Sequence, residues 1–314
     1  MSLSVTDPIN PAFARTKRIL FQPFDFGKWL RLGFCAFLTG LAEGGGGGGG
    51  SPGGGGSGGG GPDFDPVMQW IRDNLTIIVV VAVVLLLAVF VIGLVLTWLG
   101  SRGRFMFLDG VVHNRGAVVA PWHEYRREGN SLFLFRFCLG IAALLVVVLI
   151  LGLCALIALP DIQGRDFGGF AVGAIVTGVV MLLPFGLTMA VISVFLTDFV
   201  VPIMYLRRIT VMAAWREFSS SMLAGNTLPF VLYFLMRVVI GLVVGFLALT
   251  ATCLTCCIAL IPYVGSVILL PLTVFEQAYP LYFIEQFGPS WCVFPPDKPA
   301  PVTDSPTPFA DNSI

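Results

Sequence analysis

Val118-Val119-Ala120-Pro121-Trp122-His123-Glu124-Tyr125 returns as Val211-Met212-Ala213-Ala214-Trp215-Arg216-Glu217-Phe218, and each copy lies between two long apolar segments. A second shared element follows each copy, Gly129-Asn130-Ser131-Leu132 in the first and Gly225-Asn226-Thr227-Leu228 in the second, and the next hydrophobic run begins there. Similarity at matched spacing marks a duplicated unit. Because the flanking runs are long enough to cross a bilayer, each unit reads as a membrane hairpin whose elbow carries the tryptophan.

Composition supports this. Apolar residues make up 56% of the chain and charged residues 11%, which excludes an ordinary soluble fold. Eighteen bases balance eighteen acids, so the long-range attraction that nucleic-acid binding needs is missing. The seven cysteines fall mostly in apolar segments, where they act as small hydrophobes and imply no disulfide framework. Residues before Phe26 are polar and basic without a small-residue cleavage site after an apolar core, so no removable signal peptide is expected.

The chain divides accordingly. Residues 1–27 read as a basic interfacial segment, with Asn10-Pro11 as the expected helix start and Arg15, Lys17 and Arg18 among apolar neighbours. Residues 28–42 are a short first span, apolar apart from Lys28 and Arg31. Residues 43–75 are an external loop so rich in glycine that no fold is expected; it lacks the Gly-Lys-Ser/Thr ending of a phosphate loop. Residues 76–159 form the first hairpin and 160–261 the second, with Pro184 and Pro202 inside the second hairpin's first arm. Pro262-Tyr263-Val264-Gly265 turns the chain into a last span over 262–287, and 288–314 form a proline-rich tail expected to be disordered.

Charge fixes the expected orientation. If residues 28–42 cross, Arg15, Lys17, Arg18, Lys28 and Arg31, the elbow arginines 102, 104, 115, 126 and 127, and Arg207, Arg208 and Arg216 all face the cytoplasm, leaving Arg72 and Arg165 outside. This asymmetry outweighs the shortness of the first span. The expected architecture is therefore an all-α integral membrane protein, a six-helix bundle with two parallel internal hairpin repeats, in the cell's inner membrane with both termini cytoplasmic. Its expected partners are the lipid bilayer and, in an assembly role, another membrane protein.

Four charged residues fall inside the spans. Asp198 precedes Pro202 by four residues, and Glu276 precedes Pro280 by the same interval. A proline has no N–H to give the carbonyl one turn earlier, so each acid is expected at a polar notch. Leu108-Asp109-Gly110-Val111-Val112-His113 echoes Thr197-Asp198-Phe199-Val200-Val201-Pro202, placing an acid near the end of each descending arm. Arg136 and Arg237 lie at comparable depth. An unpaired charge at a helix centre costs about 2.5–3.5 kcal/mol, so Asp198 is expected to pair with Arg237. These four residues read either as a substrate or proton path, or as structural ion pairs and side chains snorkelling to headgroups. Trp122, Glu124, Trp215 and Glu217 read as interfacial anchors capping the hairpins, or as a binding surface formed by both copies.

Other motifs carry less. Cys253-Leu254-Thr255-Cys256-Cys257 has a metal-like spacing for Cys253, Cys256 and Cys257, but it lies in a span without a second pair or a nearby histidine, so no metal is expected. His113 and His123 form no catalytic dyad in sequence, and no hydrolase or zinc-protease motif occurs, so neither catalysis nor a cofactor is expected. Gly241 and Gly245 form a small-xxx-small pair that permits close helix approach.

The run Pro23-Phe24-Asp25-Phe26-Gly27-Lys28-Trp29-Leu30-Arg31-Leu32, the Trp-x-Glu-aromatic elbows and Ile261-Pro262-Tyr263-Val264-Gly265 together resemble an uncharacterised bacterial and archaeal family of multi-pass membrane proteins. The chain is also loosely similar to the membrane domain attached to glycerophosphodiester phosphodiesterases, without their soluble catalytic domain. The resemblance implies a fold and brings no activity with it. Three roles follow: a structural or assembly protein, a small transporter lined by Asp198, Arg237 and Glu276, or a lipid-handling accessory subunit using the basic N-terminal helix.

Overall fold

The computed structural model describes residues 3–22, 24–42, 74–164, 168–255 and 261–294. Most of the expected glycine-rich loop, Cys256, Cys257 and residues 295–314 of the expected tail lie outside the described residues. Those described form ten α-helices and no strand: α1 (Ile9–Phe21), α2 (Phe26–Ala42), α3 (Leu75–His113), α4 (Val119–Glu124), α5 (Arg126–Gly164), α6 (Gly169–Arg207), α7 (Val211–Glu217), α8 (Thr227–Leu254), α9 (Pro262–Ile268) and α10 (Leu270–Glu285). A π-helical turn interrupts α6 at Leu196–Val200, and α7 runs on into another at Phe218–Leu223.

Four helices, α3, α5, α6 and α8, are long and apolar enough to cross a membrane. The chain is a multi-pass membrane protein. With 39 residues, α3 extends roughly 58 Å at about 1.5 Å per residue, nearly twice a hydrocarbon core of about 30 Å. Its two parts have different surroundings. Leu85, Leu86 and Val89 are more than half exposed, whereas every residue from Gly100 to Val112 is buried. A stretch hidden on all sides belongs to a protein core, and the bare apolar part is suited to lipid. The same holds across the four helices, whose apolar windows are at most 17% buried.

The neighbours of Gly100–Val112 decide the helix count. A methyl group at Gly103 would stand 2.5 Å from Leu38 Cβ, and one at Gly110 would stand 2.6 Å from Leu32 Cδ2. Helix α2 therefore lies against the buried half of α3 and leaves the apolar half bare. It has 17 residues and α10 has 16, and α10 is buried along most of its length. Helix α9 joins the same core: Trp29 Nε1 donates to the Val267 carbonyl at 3.0 Å and Ser266 Oγ to the Gly33 carbonyl at 3.1 Å. The expected six-helix bundle is thus corrected to four candidate spans above a packed core. Residues 28–42 are too short for a span, and their helix packs in the core despite the charge asymmetry.

The two hairpins also differ. Helices α3 and α5 meet closely, since a Cβ at Gly129 would stand 2.9 Å from Arg102 Cγ. Helices α6 and α8 are joined through long side chains, with the rings of Phe199 and Phe230 5.1 Å apart and Arg237 reaching Asp198. Their descending arms end alike, at Asn114 and Arg208, both left-handed. Asp109 lies five residues before the first cap and Asp198 ten before the second, so the two acids echoed in sequence are not equivalent in the fold.

Both ends of the described chain close the core. Helix α1 begins at Ile9 rather than at the expected Asn10 cap, and it turns Arg15, Ile19 and Leu20 inward. Arg15 Nη2 donates to the Val112 carbonyl at 2.6 Å. The expected disordered tail is corrected over 288–294, where a 3₁₀ turn at Pro289–Trp291 leads into Val293 and Phe294, whose N–H groups donate to Glu285 Oε1. Arg207 lies 4.8 Å from the Trp291 ring and Arg15 4.7 Å from that of Phe294.

Candidate functional site

Just before Pro202, α6 opens into its π turn, where the Val201 N–H reaches the Leu196 carbonyl. Such turns widen a helix and recur at functional positions. Asp198 sits in this turn, 2% exposed, and its Oδ2 accepts from Tyr233 Oη at 2.9 Å and Arg237 Nε at 3.1 Å. Tyr233 and Arg237 are four residues apart on α8 and so share one face. Arg237 Nη1 also donates to Glu276 Oε1 on α10 at 2.7 Å. One guanidinium therefore joins two carboxylates from two helices, an arrangement suited to its fork of donors.

Arg136, Asp198 and Arg237 line a cavity of about 610 Å³, together with Thr97 and Ser193. It opens where α3, α5, α6 and α8 leave the core. All four intramembrane charges singled out in sequence meet here: Arg136, Asp198 and Arg237 at the cavity, with Glu276 holding the far side of Arg237. A fifth, Arg104, was missed. It is 4% exposed and within electrostatic reach of Arg136, Asp198, Arg237 and Glu276. Sequence reading placed it among the arginines of the first cytoplasmic elbow. The signal overlooked was the lack of any helix breaker before Asn114, which puts Arg104 deep within α3.

Asp109 is the centre of a separate network and is fully buried. Arg115 grips it with Nε at 3.0 Å and Nη2 at 3.1 Å, Tyr205 Oη donates at 3.1 Å, and His113 Nδ1 lies 3.0 Å away. The bond to Asp109 holds the Arg115 guanidinium above its ordinary value. Burial, and then the Asp109 carboxylate, push the Cys35 thiol up to about 12, so it stays protonated and unreactive at neutral pH.

The elbows lie at one end of the molecule. Glu124 pairs with Arg208 and Glu217 pairs with Arg207, two adjacent residues at the end of α6. The tryptophans differ in environment. Trp122 meets Trp98 edge-on at 5.8 Å, and both rings flank Arg102, whose guanidinium is bound to Asn130 Oδ1. Trp215 packs on Phe135 and Phe218, and its Nε1 is buried without a hydrogen-bond partner. Cys253 is exposed near the end of α8. Among the described residues no group of three or more His, Cys, Asp and Glu is placed to hold a metal ion.

No curated protein and no solved structure matches this chain. The loose similarity to the membrane domain attached to glycerophosphodiester phosphodiesterases finds no support. One family does match, over residues 3–290 and so over most of the chain, and its members are described only as a family of unknown function. The chain belongs to that family of unknown function, DUF7544.

Proposed function

We infer that this protein carries a small solute across the membrane along a polar path at the Asp198 cavity. The observation behind this reading is that Arg136, Asp198 and Arg237 line one cavity of about 610 Å³ among helices whose other faces are lipid-facing. Charges inside spans are costly, and where they border a cavity they commonly mark an ion or substrate route. Arg237, held by both Asp198 and Glu276, would exchange partners as a solute enters. The lipid-handling alternative is weakened because Arg15, one of its three basic residues, is turned into the core.

The orientation belongs to the same proposal and is supported by the placement of charge. Exposed Lys17, Arg18, Arg31, Arg126, Arg127 and Arg216 belong to the core and elbow end, so that end, with both described termini, faces the cytoplasm of an inner membrane. The test is thiol labelling in native membranes with a membrane-impermeant reagent, on a background lacking the native cysteines. Ser193→Cys, at the cavity, is expected to react, and Leu183→Cys, 66% exposed on the lipid face, is not. An unreactive Ser193→Cys in a folded protein overturns the path.

A further inference from the structure

We propose, independently of the Asp198 cavity, that the corner between α3 and α5 at Trp98, Arg102 and Trp122 binds the headgroup of an anionic phospholipid. From Leu75 to Thr97, α3 rises roughly 34 Å at about 1.5 Å per residue, close to one hydrocarbon thickness. Trp98 therefore stands where lipid tails give way to headgroups, the level at which tryptophan is commonly found. The Arg102 guanidinium lies 4.5 Å from the Trp98 ring and 4.9 Å from that of Trp122. Its Nε and Nη2 both donate to Asn130 Oδ1. One turn before Asn130, on the same face of α5, exposed Arg126 lies within electrostatic reach of Arg102.

Among the described residues no carboxylate pairs with Arg102 or Arg126. The two acids nearest Arg126 in sequence serve Arg208 instead: Glu124 pairs with it, and buried Glu128 reaches it electrostatically. The corner thus holds two positive charges beside Asn130, whose amide oxygen is taken by Arg102 and whose amide nitrogen is a donor. A phosphodiester accepts hydrogen bonds and carries the negative charge that such a corner selects. A zwitterionic headgroup brings an ammonium that would meet both guanidiniums. The surface beyond the corner makes the guest a lipid. One and two turns past Asn130, α5 presents exposed Leu134 and Cys138, and α3 presents Val95 and Val91 before Trp98, each at least half exposed. An acyl chain covers this apolar strip, and a free phosphate leaves it bare.

The test is native mass spectrometry of the purified full chain released from detergent, titrated with phosphatidylglycerol and with phosphatidylcholine of the same acyl chains. The first phosphatidylglycerol is expected to bind about tenfold to thirtyfold more tightly, as two basic residues near a membrane surface imply. Arg126→Gln, at an exposed position, is expected to weaken it about fivefold. Asn130→Asp gives Arg102 a carboxylate, so the fold is kept, yet it sets a negative charge against the phosphate. It is expected to weaken phosphatidylglycerol at least tenfold without lowering the thermal unfolding midpoint. Arg216→Gln, equally exposed at the second elbow, leaves the affinity unchanged. Equal affinity for the two lipids, unaltered phosphatidylglycerol binding in Asn130→Asp or Arg126→Gln, or a loss in Arg216→Gln as large as in Arg126→Gln overturns the assignment. Displacement of phosphatidylglycerol by inorganic phosphate at matched concentration overturns it too, by making the corner a free-phosphate site.

Discussion

Asp109 and Asp198 are both buried aspartates bound by one tyrosine hydroxyl and one arginine, yet they are built to different ends. The arginine of Asp109 comes from six residues along the chain, grips both carboxylate oxygens and keeps its own side chain 47% exposed. That is a local knot tying off the end of α3. The arginine of Asp198 comes from another span, uses one Nε–H on it, and gives its Nη1 to Glu276 on a third helix beside a cavity. Local closure serves stability. A bridge across three helices at a cavity costs more to build, and on the proposed transport reading its value lies in being able to open.

The largest effect is expected at Arg237. Arg237→Ala leaves two largely buried carboxylates without their shared cation and is expected to cost about 3–5 kcal/mol, measured by reversible denaturant unfolding in detergent. Asp109→Asn keeps the side chain's shape and lets Arg115 return to water, so a smaller loss of about 1–3 kcal/mol is expected, with Ser193→Cys labelling unchanged. The tyrosines sharpen the contrast. Tyr233→Phe removes a bond to a carboxylate from a fully buried position and should cost about 1.5–3 kcal/mol. Tyr205→Phe should cost less, about 0.5–1.5 kcal/mol, because Asp109 keeps both Arg115 bonds and its contact with His113. Glu124→Gln comes last. Its pair with Arg208 is exposed on both sides, so a change within about 1 kcal/mol is expected in the same unfolding assay.

The duplication was legible because elbows repeat as local words: tryptophan, glutamate and an aromatic at fixed spacing need no tertiary knowledge. The four charges were legible because an ionised residue in an apolar run stands out against its neighbours. Helix count was not. Residues 28–42 and 262–287 are apolar enough to suggest spans, and sequence cannot say whether such a helix faces lipid or the buried half of another helix. The glycines that decide it are Gly103 and Gly110. Their closeness to Leu38 and Leu32 depends on residues more than sixty positions away in the chain.

The Asp109 network escaped for a related reason. Its acid was matched by sequence to Asp198, but the descending arm of the second unit runs five residues further before its left-handed cap. At about 1.5 Å per residue that shifts the acid by roughly 7.5 Å, enough to separate a closed knot from a cavity wall. Arg104 shows the converse error. Charge near an apparent span end reads as part of a cytoplasmic elbow until the helix proves to continue into a core.

On the proposed path, the cluster at Asp198 meets water while the apolar halves of the same helices meet lipid. Spin labels at Ser193 and Leu183 of α6, with the protein in lipid nanodiscs, test it directly through collision rates with a water-soluble nickel chelate and with lipid-soluble oxygen. The Ser193 label is expected to favour the chelate and the Leu183 label to favour oxygen. Equal preference for oxygen at both positions would contradict it, making the Asp198 cluster a dry structural bridge.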